Sequence, residues 1–322
     1  MAETRTKLKG AVSTGLVLVL LTALVSGVSN FVNAWVAKGT NTNTDVFFTA
    51  RNVLVAAALL PVAFLARRDV RTRLRRSDWG RLALIGLIGG AVPFLLYFRG
   101  VQIATTAGGF TSARFGFSAL FLMATAFAVI FLRERVSARV LLAGIALLAG
   151  CALLLLTTEP VWSDGIVLVL LATALWAGEY TLSKRTLRDL PSGTVAAGRM
   201  GFGAAFLLGY LGISGQLGGL AALPSGQWPW VALSAILLLG FVCTWYAGLK
   251  HVDLSVATAV LVLGYPITWA LRVAWGLDAF TVAQAAGAAA VVFGAVLVVG
   301  LVSVRDVLKD TIRVVVARLT PR

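Results

Sequence analysis

Thr22-Ala-Leu-Val-Ser-Gly27 recurs about 150 residues later as Thr173-Ala-Leu-Trp-Ala-Gly178. Each copy lies inside a long apolar run, and each of those runs opens a set of five. Working outward, ten such runs appear, at about 13–37, 46–66, 82–98, 106–132, 139–157, 164–183, 194–214, 229–249, 254–277 and 281–302. Each is long enough, or nearly so, to cross ~30 Å of hydrocarbon as a helix. The correspondence continues downstream: Thr49-Ala-Arg51 falls on Ala197-Gly-Arg199, Tyr97 and Gly100 are echoed by Tyr246 and Gly248, and Gly150 by Gly294. Five is odd, so the second copy must enter the membrane from the opposite side. The sequence therefore predicts an all-α integral membrane protein of ten transmembrane helices, built as two inverted five-helix repeats about an axis in the membrane plane. Residues 13–157 form the first repeat and 158–302 the second. An N-terminal tail (1–12) precedes them and a basic tail (303–322) follows.

The basic residues agree with that alternation. Arg5, Lys7 and Lys9 precede the first run, and Arg67, Arg68, Arg71, Arg73, Arg75, Arg76 and Arg81 follow the second. Arg133, Arg135 and Arg139 follow the fourth, Lys184, Arg185 and Arg188 the sixth, and Lys250 the eighth, with five more in the last twenty residues. The other gaps hold little beyond Lys38, Arg99, Glu159, Asp164 and Asp278. By the positive-inside rule both tails are expected in the cytoplasm, in an inner (plasma) membrane. Val304, Val307, Leu308, Ile312, Val315, Val316 and Leu319 recur at helical spacing between basic residues, so the last stretch reads as an amphipathic helix on the inner surface.

A mean hydropathy of +0.91 and 59% hydrophobic residues exclude a soluble globular domain. The net charge of +15 follows from the cytoplasmic excess and implies anionic lipid, not nucleic acid, as its partner. The first run is too long for a signal-peptide core, and the repeat needs it. There is no P-loop, no H-E-x-x-H and no G-x-S-x-G, and the lone His251 cannot build a zinc cluster. No cofactor, metal or enzymatic chemistry is expected, and a gradient must supply the energy.

These features resemble the ten-helix EamA-type members of the drug/metabolite transporter superfamily. The residues that carry the resemblance are Ser26-Gly-Val-Ser-Asn30, Arg51, the hairpin around Gly100 to Gly109, Leu132-Arg-Glu-Arg135 with the following Gly144/Gly150 run, Ala174-Leu-Trp-Ala-Gly178 and Gly264-Tyr-Pro266. The resemblance covers about residues 13–302. It implies a central cavity enclosed by helices one to four and six to nine, with five and ten packed peripherally. Such proteins usually carry a proline in the fourth helix; here Ser118 stands in its place, which leaves a bend there without its usual cause. Pro266, after Gly264-Tyr265, is the hinge candidate.

Arginine inside a membrane costs at least ~2.5–3.5 kcal/mol on the insertion scale, so it should face a cavity or a partner. Arg51 enters about five residues from the outer end of its run, roughly 8 Å, and Arg199 about as far from the inner end of its own. The two mirror each other across the midplane. They are either a paired anion site or cations reaching for headgroups. Arg114 is some eight residues deep, roughly 12 Å, and is placed in the cavity. Arg272 reads as an interfacial residue beside Trp269 and Trp275. Glu179 alone among the acids lies well inside a run, level with Arg199. It is either the ion-pair partner of that arginine or a proton-coupling carboxylate that releases it. Asn30 and Asn33, near Arg51 in the first half, are candidates to bond substrate. Tyr97, Trp176, Tyr180 and Tyr265 are candidate cavity walls. Four arginines against one glutamate favour an anionic or zwitterionic metabolite over an organic cation. The expected activity is a secondary transporter, an exporter by alternating access with proton coupling left open; the alternative is a lipid flippase or another bilayer-embedded lipid-handling protein. The expected partners are a small-molecule substrate and membrane lipid, with a homodimer left open.

Overall fold

The computed structural model describes residues 2–39, 43–69, 74–155 and 160–300. The tail read as an amphipathic helix lies outside them. Ten helices are long and apolar enough to cross a membrane. They are α1 (Ala2–Gly39), α2 (Thr44–Asp69), α3 (Arg76–Thr106), α4 (Thr111–Leu132), α5 (Ala138–Leu155), α6 (Asp164–Thr186), α7 (Ser192–Ile213), α8 (Ser225–Leu249), α9 (Leu254–Ala274) and α10 (Val282–Val299). No strand occurs among the described residues. Ten crossings put the start of α1 and the end of α10 on one side, together with the α2–α3, α4–α5, α6–α7 and α8–α9 connections. That side carries most of the lysines and arginines and is called the basic face below.

The bounds of α3 and α4 differ from the sequence reading in ways that move charged residues. The third helix is longer than its apolar run, because its charged ends, Arg76, Arg81 and Arg99, remain helical. Arg99 therefore lies within α3, where its Nη1 donates to Gln102 Oε1 at 3.3 Å. The fourth begins later, because Ala107-Gly108-Gly109 turns the chain, with Gly108 at φ +76°. Arg114 consequently sits about one turn inside α4, shallower than its apolar run suggests.

The large interfaces join one repeat to the other in mirrored pairs: α1 against α8 as α6 against α3, then α2 against α7 and α5 against α10. Glycine sets the closest approaches. A Cβ on Gly248 would lie 3.0 Å from the Gly15 carbonyl, and one on Gly100 would lie 2.6 Å from that of Gly165. Gly100 and Gly248 thus make the same backbone contact in the two copies, which explains why the repeat keeps them. On α5 and α10, Cβ atoms on Gly150 and Gly287 would each lie 2.7 Å from the other's carbonyl oxygen. The exterior is apolar: Leu141, Leu142 and Ile145 of α5 and Phe293 of α10 are exposed, as a lipid-facing surface requires.

Three helices are irregular at mid-depth. α3 widens into a π-turn at Gly86–Ala91. α9 is interrupted between Leu261 and Gly264, just before Pro266, whose ring removes a backbone donor. α4 is interrupted between Ser118 and Leu120 although it has no proline. There the Ser118 hydroxyl donates to the Phe115 carbonyl at 2.6 Å and competes with the helix ladder. The break thus persists in the first half without its usual residue.

Candidate substrate cavity

Between the repeats lies a cavity of about 160 Å³. Every helix except α5 and α10 contributes to its wall. Arg51 stands seven residues inside α2 from Thr44, and Arg199 seven residues inside α7 from Ser192. The mirror depth, roughly 10 Å for each, brings both guanidiniums to the one cavity, and each is only 3% exposed.

Their surroundings differ. The Arg51 guanidinium carbon lies 4.5 Å from the centre of the Phe48 ring and 5.2 Å from that of Phe94. Phe48 is itself stacked on Phe98 at 3.8 Å. Arg51 Nη2 donates a long hydrogen bond to Asn52 Oδ1, 3.4 Å, and its Nε has no partner among the described residues. No described carboxylate lies within ion-pair distance. Aromatic faces moderate the cation but leave its charge uncompensated. Arg51 is therefore a buried positive charge with hydrogen-bonding capacity to spare.

Arg199 is paired. Its Nε lies 3.9 Å from Glu179 Oε2, with both side chains buried. The other carboxylate oxygen accepts from Ser183 Oγ at 2.5 Å and Tyr246 Oη at 2.6 Å. Glu179 Oε2 and Arg199 Nε and Nη1 make no hydrogen bond, so the pair is electrostatic and incompletely bonded. Glu179 is not part of the cavity wall, whereas its partner Arg199 is.

A proline just after the π-turn of α3 explains how these groups meet. Pro93, four residues on, has no N–H to donate to the Gly89 carbonyl, which accepts instead from Arg199 Nη2 at 3.0 Å and from Trp176 Nε1 at 3.1 Å. A Cβ on Gly89 would fall inside the Glu179 side chain, and one on Gly90 would lie 2.8 Å from the Arg199 carbonyl. The Gly86-Leu-Ile-Gly-Gly90 stretch, whose Gly-xxx-Gly spacing suits close helix packing, thus also supplies a polar ligand at the site.

The remaining sequence candidates fall as follows. Asn30, Asn33, Tyr97, Trp176, Tyr180 and Tyr265 all line the cavity. Asn30 is exposed into it, whereas Asn33 accepts from Ser234 Oγ at 2.8 Å. Trp176 is packed by Phe94, Tyr97 and Phe117, with ring centres 5.4–5.6 Å away. Pro266 is buried at the α9 break, beside the wall residues Gly264 and Tyr265. Arg114 is not in this cavity. It lines a second one, of about 490 Å³, with Arg272 and Asp278 on the face opposite the basic one. The late start of α4 is the reason.

A sequence pattern common to the EamA-like transporter family matches this chain twice, over residues 13–156 and 163–300. The chain belongs to the EamA-like transporter family. No individually curated protein matches it. A solved crystal structure shares the fold with a TM-score of 0.68 at 23% sequence identity, covering 91% of this chain and 99% of that one. The ten apolar helices and the family together make the protein a multi-pass membrane transporter. Sequence reasoning missed Gly89, Ser183 and Asn52 in this transporter's site. Only Gly89 had a visible signal, a glycine run inside an apolar span.

Proposed function

We propose that this transporter is a secondary carrier that exports a small metabolite bearing a carboxylate or similar anionic group, by alternating access. The observation that carries the reading is Arg51: a 97% buried cation facing the cavity with no carboxylate among its described neighbours. A substrate anion supplies the missing counter-charge. The cavity is smaller than the ~300–1,000 Å³ of drug-sized pockets, which favours an amino-acid-like or organic-acid ligand over a bulky drug. Asn30, Tyr97 and Tyr265 offer neutral polar groups for the rest of the molecule, including the amine of a zwitterion. The basic face is cytoplasmic in this reading, in the plasma (inner) membrane.

Glu179 couples protons to transport. A proton reaching it removes the charge that holds Arg199. The guanidinium is then available to the cavity, and the two arginines offer the substrate an anion site in each facing state. Proteoliposomes test this reading. Uptake of candidate carboxylates and amino acids by the wild type is measured with and without an imposed pH gradient, and competition by inorganic anions and by organic cations is compared. Competition by cations alone, or transfer of labelled lipid with no soluble substrate, would overturn it.

A further inference from the structure

The cavity on the face opposite the basic one is the larger of the two, and the carrier cycle proposed above gives it no task. At about 490 Å³ it falls within the ~300–1,000 Å³ of small-molecule sites. Its wall carries two guanidiniums, Arg114 and Arg272, and one carboxylate, Asp278. Asp278 accepts from Arg272 Nε and Nη2, both at 2.6 Å, which fixes that guanidinium on the wall. Gln284 is engaged as well: its Oε1 accepts from Thr281 Oγ1 at 3.0 Å, and its Nε2 donates to the Leu154 carbonyl at 3.4 Å.

Two more polar groups belong to this wall. Tyr265 Oη and Trp269 Nε1 are buried, and neither makes a hydrogen bond among the described residues. An indole N–H can only donate, so Trp269 needs an acceptor. A buried donor left unpaired costs free energy, and the place of these two on a cavity wall points to a ligand as the missing acceptor. They are four residues apart on α9, so their side chains are neighbours on one side of the helix. Tyr265 also lines the central cavity, whereas Trp269 lines the second cavity alone. The two cavities thus share a wall residue.

We infer that the second cavity is a further binding site for the carried anion: its carboxylate accepts from Trp269 Nε1 and Tyr265 Oη beside the two arginines, and the metabolite occupies it between the central cavity and the opposite face. The inference rests on the carrier reading, and its test addresses the second site by itself. A lipid phosphate at that face offers the same chemistry, so one arm of the test is given to it. With Cys151 and Cys243 replaced by alanine, Ala279→Cys, at an exposed position of the second wall, becomes the reporter. Its N-ethylmaleimide labelling rate is followed on the full chain in phosphatidylcholine nanodiscs, with benzoate as the probe and choline as the cationic control. Benzoate should slow labelling saturably, and choline should not. The protection should persist in Arg51→Ala, which disables the central site alone. Trp269→Phe should raise the half-protecting benzoate concentration at least about fivefold, through the lost hydrogen bond to a charged group. Should that variant not fold, Tyr265→Phe in the Arg51→Ala background reads the same loss. No saturable protection, protection that vanishes with Arg51→Ala, or a benzoate concentration unmoved by the substituted donor would overturn the proposal. So would slow labelling in phosphatidylglycerol nanodiscs to which benzoate adds nothing, since the site would then belong to a lipid headgroup. Intact transport by Arg51→Ala, with the protection retained, would count against the central anion site and not against this one.

Discussion

Replacing Arg51 by alanine separates a binding cation from a structural one. The side chain is buried, lies between Phe48 and Phe94, and has one long hydrogen bond, to Asn52. Its cation–π contacts contribute about 0.5–2 kcal/mol, against an insertion cost of at least ~2.5–3.5 kcal/mol for an arginine at depth. Removing it should therefore leave the thermal midpoint unchanged or raise it. Substrate binding should suffer differently. A hydrogen bond to a charged group is worth about 1.5–3 kcal/mol, and each 1.4 kcal/mol is tenfold, so apparent affinity should fall about 10- to 100-fold. The assay is concentration-dependent uptake into proteoliposomes, alongside thermal unfolding of the same preparation. Unchanged affinity would refute the anion-site argument. A collapse of stability with no separate effect on affinity would show that Arg51 is structural.

Arg199→Ala should behave in the opposite way, because it strands Glu179 in the interior. Unfolding should show a loss of about 3–5 kcal/mol, partly regained in the Arg199→Ala/Glu179→Gln double variant; no recovery would mean that the pair is not the source of the loss. Glu179→Gln alone should leave transport independent of pH, measured as initial uptake rates across external pH, and a retained dependence would return Glu179 to a purely structural role. Gly89→Ala should cost about 1–3 kcal/mol by overpacking and should lower transport, because its Cβ would intrude on Glu179. A wild-type melting temperature in that variant would show that the π-turn can yield.

Hydropathy and the repeat made the number of spans, the fold class and the mirrored depths of Arg51 and Arg199 legible in the sequence. Apolar length is a direct demand of the bilayer, and repeat symmetry constrains residues in pairs. Helix ends were less legible. At Gly108 a turn cuts into an apolar run, whereas α3 extends beyond its own run through charged ends, and Arg114 was misplaced in depth for the first reason. The break at Ser118 was hidden because a hydroxyl there does what a proline usually does. The glycine run around Gly89 and Pro93 four residues on were visible in the sequence, but the donors that the Gly89 carbonyl meets, Arg199 and Trp176, come from the other repeat and were not. Glu134 stood out only as part of Leu132-Arg-Glu-Arg135, and its bonds to the start of α9 were hidden because that helix start is about 120 residues away.

The central claim is that this protein moves an anionic or zwitterionic metabolite through a cavity whose uncompensated charge is Arg51. Metabolite profiling of the medium from cells expressing the wild type or Arg51→Ala, at matched membrane levels, tests it most directly. The account predicts that a few carboxylate-bearing compounds accumulate outside the wild-type cells and fail to do so with the variant. Indistinguishable profiles, or accumulation of cationic compounds by both, would contradict it.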